Sequence, residues 1–365
     1  MIRIAKNRVS RDLKRCLIIL LAALAIGIDG AAQAAEPGPD ATPSAPARKK
    51  EPVFFMSGGT IDDFVVSIML SAMPNIRFAG LQISNSDTIY RFAMQDQWKV
   101  FEYIGQPNIR FGLSDARGFN AFPWQYRNDS YLVSQSSALS SIADRAGWPP
   151  FPSGDRLLKM ALRKALLTHR PVTVLATAPL TPLANILKAN PELKPAIKKL
   201  IWMGGAINVA GNLDPNTVPA SIANSKAEWN AFWDPYAVDW LFRHTRFPIV
   251  VFPLDVTDQA KLDPGFVASL AQEAPAFRYA ALADSIYGLV KGQPYFEMWN
   301  TLTSAYLARP DLFSAPVSMR LAIETEGFWQ GAIGQSGSGR EVDVVLNLND
   351  PAGFYAYVLD LLKRN

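Results

Sequence analysis

Two adjacent carboxylates, Asp62 and Asp63, are the side chains of this sequence best placed to do chemistry. They follow a short apolar run at residues 53–56 and a Gly58-Gly59 turn, and they open an apolar stretch with helical spacing. Open α/β sheets bind ligands where a strand ends before a helix N-terminus. A cation held between two neighbouring carboxylates would relieve their repulsion, and hard oxygen ligands suit Ca²⁺ or Mg²⁺. The alternative is a helix cap and a first-turn acid that bind no metal.

The elements that must position these carboxylates follow from the alternation of apolar patterns. Helical patterns occupy residues 90–104 and 157–167. Apolar, often β-branched runs indicate strands at residues 53–57, 76–83, 109–113, 172–177, 200–205 and 247–254.

Polar residues follow several of these strands, at Asn85, Thr177 and Asp255. This alternation predicts an α/β fold with an open, mainly parallel, Rossmann-like sheet flanked by helices. The polar residues should then meet at the carboxyl edge of the sheet. Residues 119–154 are irregular and indicate a lid or an insertion.

The first 34 residues have the pattern of a secretory signal peptide. Basic residues precede an apolar run at residues 16–28, and Ala32-Gln33-Ala34 forms an A-x-A cleavage pattern. We predict a signal peptide at 1–34, a disordered Pro- and Ala-rich linker at 35–51 and one domain at 52–365. The expected product is periplasmic or secreted and has no stable membrane span after cleavage. The alternative is a signal anchor.

Charge and cysteine content narrow the function classes. The 365 residues include 36 basic and 32 acidic side chains, and the whole excess of basic over acidic residues lies in residues 1–34. The remaining chain is formally neutral, so charge gives no indication of nucleic-acid binding. The only cysteine, Cys16, lies in the same segment. The predicted mature chain therefore has no disulfide, no thiolate metal site and no thiol nucleophile.

An ordered set of motifs resembles the inosine/uridine-preferring nucleoside hydrolase family. The set comprises Asp62-Asp63, Thr177-Ala178-Pro179-Leu180-Thr181-Pro182-Leu183-Ala184, Met203-Gly204-Gly205, Gly211-Asn212 and Ala227-Glu228-Trp229-Asn230-Ala231-Phe232-Trp233-Asp234-Pro235. The resemblance implies a nucleoside hydrolase-like domain that cleaves the N-glycosidic bond of ribonucleosides through an oxocarbenium-like sugar. It also implies a Ca²⁺ ion that holds the attacking water.

The resemblance implies roles for individual residues. Asp62, Asp63 and Asn300 take the catalytic positions, and the implied metal ligands are Asp63, Asp62, Asn300 and the Thr177 carbonyl. The implied substrate contacts are Asn85, Met203, Asn212, Glu228 and Asn230. Each also has a structural alternative: Thr177 could end a strand, Glu228 could cap a helix, and the glycines after Met203 could form only a turn. Four aromatic residues could stack a base or simply pack: Trp124, Tyr126, Trp229 and Trp233.

The sequence also departs from the family pattern. Met56 and Gly58 stand where the family has aspartates, and Gly58 replaces its general base. Asn300 replaces a second metal carboxylate, and Trp299 replaces a neighbouring histidine. Fewer carboxylates predict Ca²⁺ binding that is weakened or absent. Asp87 is a conceivable substitute base.

The two histidines, His169 and His244, lie in other segments and indicate surface or helix-end charges.

Two functions therefore remain open. One is an exported, Ca²⁺-dependent ribonucleoside hydrolase, and the other is a non-catalytic periplasmic nucleoside- or ribose-binding protein on the same fold. The expected partner is a small nucleoside or ribosyl compound, and the protein could form a homo-oligomer.

Overall fold

The computed structural model of the chain describes residues 49–86, 88–121, 127–148, 150–216, 218–293 and 296–365. These residues belong to one compact unit, Arg48–Asn365. The predicted signal peptide and residues 35–48 of the predicted linker lie outside the described residues, as do Asp87, Trp124 and Tyr126.

A single mixed sheet forms the centre of this unit. Its strands are β1 (Glu51–Ser57), β2 (Ile76–Asn85), β3 (Phe111–Arg117), β4 (Val172–Thr177), β5 (Ile197–Met203), β6 (Ile249–Phe252), β7 (Val317–Ile323), β8 (Ile333–Gln335) and β9 (Arg340–Val344). They lie in the order β3-β2-β1-β4-β5-β6-β9-β7-β8. Neighbours from β3 to β9 are parallel, whereas β7 is antiparallel to both β8 and β9.

Helices cover both faces of the sheet. They are α1 (Ile61–Ala72), α2 (Tyr90–Tyr103), α3 (Asp129–Ser134), α4 (Ser137–Ser140), α5 (Gly154–Leu167), α6 (Thr181–Ala189), α7 (Trp229–Trp233), α8 (Pro235–His244), α9 (Leu254–Thr257), α10 (Pro264–Glu273), α11 (Arg278–Tyr287), α12 (Trp299–Ala305) and α13 (Pro351–Leu362). Short 3₁₀ helices occupy Pro191–Ala196 and Pro310–Leu312.

Strand β1 illustrates why the sequence forms a sheet that is buried on both faces. Successive side chains of a strand point to opposite faces. Val53 and Phe55 therefore pack into the core that contains α1, α2, α11, α12 and α13. Phe54 and Met56 pack into the opposite core, with α5, α6 and α8. An uninterrupted apolar strand is typical of such a parallel sheet.

The predicted fold class, an open and mainly parallel sheet flanked by helices, is confirmed. Local boundaries differ. Glu51 already belongs to β1. Strand β3 begins at Phe111, two residues after the expected start, because Ile109 belongs to a turn in which its N–H donates to the Gln106 carbonyl.

The segment predicted to be irregular contains the short helices α3 and α4. The antiparallel strands β7 to β9 had no counterpart among the predicted strands. No helix in the described part of the chain is long and apolar enough to cross a membrane.

Candidate active site

The first turn of α1 holds Asp63 at the carboxyl edge of the sheet. Gly59 adopts the left-handed conformation, with φ of 81°, and so turns the chain from β1 toward α1. The backbone N–H groups of Gly59 and Thr60 then donate to Asp63 Oδ2, at 2.8 and 3.2 Å. One carboxylate oxygen is thereby bound to the loop that precedes its own helix.

The other oxygen of Asp63 joins two distant elements. Thr177 ends β4 next to the end of β1, and its hydroxyl donates to Asp63 Oδ1 at 2.5 Å. The Asn300 side-chain amide donates to the same oxygen at 3.0 Å. Burial raises the pKa of Asp63 to about 7; the Thr177 hydrogen bond lowers this pKa, whereas the Asp62 charge raises it. The structure thus brings together three residues with predicted roles: Asp63, Thr177 and Asn300.

Asp62 points away from this group and caps α12. Its Oδ2 accepts the backbone N–H groups of Asn300 and Thr301, at 2.6 and 3.0 Å. Its Oδ1 accepts the hydroxyls of Thr301 and Tyr287, at 2.6 and 2.7 Å. Burial raises the pKa of Asp62, and these hydrogen bonds oppose that effect. The metal contact that the resemblance implies for Asp62 would have to replace its bonds to α12, so the structure favours a structural role for this residue.

A second polar cluster surrounds Glu228, which caps α7. Glu228 Oε1 accepts the Asn230 N–H at 2.8 Å, and Oε2 accepts the N–H groups of Gly205 and Ala231, at 2.8 and 3.1 Å. Burial raises the pKa of Glu228 to about 7, although the backbone donors lower it. The capping alternative for Glu228 is therefore what the structure shows, and the carboxylate also holds the turn after β5.

The amides expected to contact ribose lie beside Glu228. The side-chain oxygen of Asn212 accepts the backbone N–H of Trp229 at 3.1 Å. The side-chain amide of Asn230 donates to the backbone carbonyl of Met203 at 3.2 Å. Gly211 makes this arrangement possible, because a Cβ there would lie 2.1 Å from the Ala227 carbonyl oxygen. Asn212, Glu228, Asn230 and Met203 thus form one group.

The ends of β4 and β5 connect the two clusters. Ala176 pairs with Trp202, so the next residues, Thr177 and Met203, end adjacent strands. Met203 also packs with Trp299, the residue before Asn300. Together these contacts form one continuous site along the carboxyl edge of the sheet.

Asn85 ends β2 on the far side of β1 and is buried. Near it, the Ser86 hydroxyl donates to the Gly58 carbonyl at 3.2 Å. Asn85 therefore lies at the same edge, next to a residue that contacts the loop carrying Gly58.

Other predicted polar residues serve the scaffold. Asp255 caps the loop after β5 by accepting the N–H groups of Ile207 and Asn208, each at 2.9 Å. His169 and His244 are exposed, as the sequence indicated, and His244 stacks on Trp240 with ring centroids 5.1 Å apart.

The two described tryptophans among the predicted stacking residues contact other side chains of the protein, and their stacking on a base stays a prediction. Trp233 is buried and Arg127 lies 5.8 Å from its ring centroid. Trp229 packs edge-on against Phe232.

Sequence reasoning missed three residues that shape the site. Tyr287 and Thr301 bind Asp62, and Asp129 of α3 accepts the N–H of Ile61, the first residue of α1, at 3.2 Å. Burial raises the pKa of Asp129 to about 6. The run of polar residues around Asp129 is a weak capping signal; the sequence carries no signal that pairs Tyr287 with Asp62.

Among the described residues, the side chains around Asp63 do not fit a Ca²⁺ site. Ca²⁺ takes about 6–8 oxygen ligands and prefers several carboxylates. The described ranges contain no cluster of three or more His, Cys, Asp or Glu side chains arranged so that they could hold a metal ion. Asp62 is bound to α12, Gly58 has no side chain, and Asn300 presents its N–H groups to Asp63. We therefore derive no step of a reaction through a metal ion.

A mainly parallel sheet with carboxylate and amide side chains at its carboxyl edge defines an α/β protein with a polar small-molecule site. Residues 55–355 match the family described as inosine-uridine preferring nucleoside hydrolase, and the chain belongs to this family. The resemblance indicated by the sequence motifs is thereby confirmed.

Individual relatives agree with this assignment. The non-specific ribonucleoside hydrolase RihC of Escherichia coli is 35% identical over 210 residues, which cover 56% of this chain and 64% of RihC. An inosine-uridine preferring nucleoside hydrolase from Bacillus anthracis has a similar structure, with a TM-score of 0.76 and 29% identity over 86% of this chain and 99% of that one. A purine-preferring ribonucleoside hydrolase from Gardnerella vaginalis, at 17% identity and a TM-score of 0.70 over 86% and 99% of the two chains, shares the fold.

Proposed function

We propose that this site recognises the ribosyl group of a ribonucleoside and that the protein hydrolyses its N-glycosidic bond. The observation that carries the proposal is the continuous row of polar residues from Asn300 through Asp63 and Thr177 to Asn230 and Glu228. The Escherichia coli and Bacillus anthracis relatives, which are named as nucleoside hydrolases, support the same reaction class.

The reaction requires a water molecule, a proton acceptor and a protonated leaving base. The water oxygen bonds to the anomeric carbon, while the electron pair of the carbon–nitrogen bond passes to the base. One proton of the attacking water passes to the proton acceptor and then to solvent, and the base takes up one proton from solvent. The sugar passes through an oxocarbenium-like state. We assign Asp63 to hold the water and accept its proton; the water would replace one of the four hydrogen bonds that Asp63 accepts from the chain. Its raised pKa of about 7 suits a general base near neutral pH.

The amides on the other side of the site would bind the sugar. Asn212 and Asn230 are partly buried, and each retains hydrogen-bonding capacity beyond the contacts described above. Glu228 fixes both by holding the turn after β5 and the start of α7. Its contribution to ribose recognition is therefore the positioning of its neighbours.

Gly58 and Asn300 favour a second candidate, a nucleoside- or ribose-binding protein without turnover. Gly58 offers no side chain and an amide cannot act as a general base at neutral pH. The absence of a general base typically slows a reaction by about 10²–10⁴-fold. Binding of nucleoside without cleavage would follow if Asp63 does not take this role.

An assay for free ribose, run beside calorimetry, separates these functions. We expect inosine or uridine to release ribose in the presence of the mature protein. Asp63→Asn should reduce release by about 10²-fold or more. Asp239→Asn is the matched control, because Asp239 pairs with Arg243 on the surface at 2.7 Å, and it should retain wild-type activity.

The other outcomes are equally informative. Saturable nucleoside binding without ribose release would support the binding protein. Absence of both binding and release for purine and pyrimidine ribonucleosides would refute the proposal.

We further propose that the protein is exported to the periplasm or the medium. The basic, apolar and small-residue pattern of residues 1–34 supports this localisation.

A further inference from the structure

Asp63 is surrounded by hydrogen-bond donors that belong to the chain itself. Its two oxygens accept four hydrogen bonds, from the N–H groups of Gly59 and Thr60, the Thr177 hydroxyl and the Asn300 amide. We propose that this site functions without a resident divalent cation and that these donors, Asn300 above all, stabilise Asp63 in its place. The inference rests on the proposed function for the identity of the site.

The types of the surrounding groups support this inference. A cation needs oxygen atoms that point their lone pairs toward it, and Ca²⁺ needs about 6–8 of them. The side chains that reach Asp63 instead present an O–H from Thr177 and an N–H from Asn300. Groups that donate to a carboxylate compete with a cation for the same lone pairs.

Asn300 is the residue that decides whether Asp63 is stabilised by hydrogen-bond donors or by a cation. Its amide nitrogen lies 3.0 Å from Asp63 Oδ1 and 3.3 Å from the Thr60 hydroxyl, so it faces two oxygen atoms at once. A carboxylate at position 300 would meet Asp63 at the same distance and repel it unless a cation lay between them. The neutral amide converts that repulsion into a hydrogen bond.

A second carboxylate for a cation cannot come from Asp62. All four hydrogen bonds of Asp62 go to Tyr287 and to the first turn of α12, which also carries Asn300. Turning Asp62 toward a cation would release this turn and displace Asn300 itself. If Asp62 stays bound to α12, Asp63 is the one described carboxylate of this group that could face the double positive charge.

Calorimetry with CaCl₂ and MgCl₂ tests the inference on the mature protein after chelator treatment, without nucleoside. We expect no saturable binding up to about 1 mM, the weak limit of extracellular Ca²⁺ sites. The melting temperature should be the same in EDTA and in CaCl₂. Saturable binding of one ion that Asp63→Asn abolishes would overturn the inference.

Asn300→Asp provides the opposite test. This variant should melt at a lower temperature than wild type in EDTA and should gain a Ca²⁺-dependent rise in melting temperature. Asn347→Asp is the matched control, because Asn347 is exposed outside the site, and it should show neither change. A folded Asn300→Asp variant that behaves like this control would refute the role given to Asn300. If Asn300→Asp does not fold even with Ca²⁺, the wild-type titration decides the question alone.

The ribose assay distinguishes failure of this inference from failure of the proposed function. Equal ribose release in EDTA and in CaCl₂ supports both. Release that occurs only with CaCl₂ overturns the inference and retains the function. If neither buffer gives nucleoside binding or ribose release, the proposed function is refuted. The titration with CaCl₂ and MgCl₂ then still decides whether the site binds a cation.

Discussion

Asp62 should contribute strongly to the stability of this protein, because its hydrogen bonds join α1 to α12. Its carboxylate is the acceptor for two backbone N–H groups of α12, for the Tyr287 hydroxyl and for the Thr301 hydroxyl. Asp62→Ala removes the acceptor for all four donors inside the core. Asp62→Asn keeps an amide of the same shape at the same place.

The two substitutions should differ clearly in magnitude. After Asp62→Ala, the hydroxyls of Tyr287 and Thr301, 2.8 Å apart, can still bond to each other. The backbone N–H groups of Asn300 and Thr301 have no such alternative, and each buried donor without an acceptor costs about 1–3 kcal/mol. We expect a loss of about 3 kcal/mol or more, a large part of the roughly 5–15 kcal/mol that stabilises a domain. After Asp62→Asn, the amide oxygen can accept from the backbone while its NH₂ group donates to the two hydroxyls, so the expected loss is about 1 kcal/mol.

Urea unfolding followed by circular dichroism measures both changes in the free energy of unfolding. The ribose assay should show the same order, because the first turn of α12 positions Asn300. If Asp62→Ala unfolds at the same urea concentration as Asp62→Asn, the capping interpretation of Asp62 is wrong.

Four further predictions concern other parts of the molecule. Asp96 is fully buried with neither oxygen hydrogen-bonded within the described residues, and burial raises its pKa from 3.8 to about 8. Because the pKa of Asp96 in the folded state lies above its ordinary value, the stability of the fold falls as pH rises from about 4 to about 8. Asp96→Asn removes the charge, so it should raise the melting temperature little at pH 4 and most at pH 8. Gly211→Ala should weaken nucleoside binding and destabilise the fold by about 1–3 kcal/mol, because the new Cβ would clash with the Ala227 backbone; unchanged affinity by calorimetry would contradict this. Ribose release should rise with pH through about 7, since Asp63 must lose its proton to accept one from water, and a flat rate profile between pH 5 and 8 would count against Asp63 as the base. N-terminal sequencing of exported protein should begin near Ala35, whereas an intact Met1 in that fraction would refute signal cleavage.

The fold and part of the site could be predicted because both depend on local patterns. The apolar run of β1, the Gly58-Gly59 turn and the first residues of α1 are contiguous, and they bring Asp63 to the sheet edge. Thr177 ends a neighbouring strand, so the parallel topology alone brings it near Asp63. The contact between Asp63 and Asn300 needed the family resemblance as well, because 237 residues separate them.

The sequence left the roles of Asp62 and Glu228 open between a ligand contact and a helix cap, because these roles depend on where each carboxylate points. Asp62 and Asp63 are consecutive in a helix, so their side chains face different directions. Only the position of α12 shows which of the two carboxylates binds that helix. Glu228 precedes a helix of five residues, which is too short to give a periodic pattern. Asp129 lies in a helix of six residues, which is also too short to give a periodic pattern and leaves only a weak capping signal.

The pairing of Asp62 with α12 has a consequence for the order in which this protein folds. The partners of Asp62 lie 225 to 239 residues further along the chain, so this contact closes one of the longest loops available to it. Contacts between residues so distant in sequence form late and slow the folding of the domains that depend on them. During synthesis, the segment around Asp62 emerges early, yet Asp62 has none of these partners until Tyr287 and the residues of α12 have followed. A chain that stops before Tyr287 would therefore leave the Asp62 carboxylate without its donors in an incomplete domain, which makes such a fragment susceptible to proteolysis.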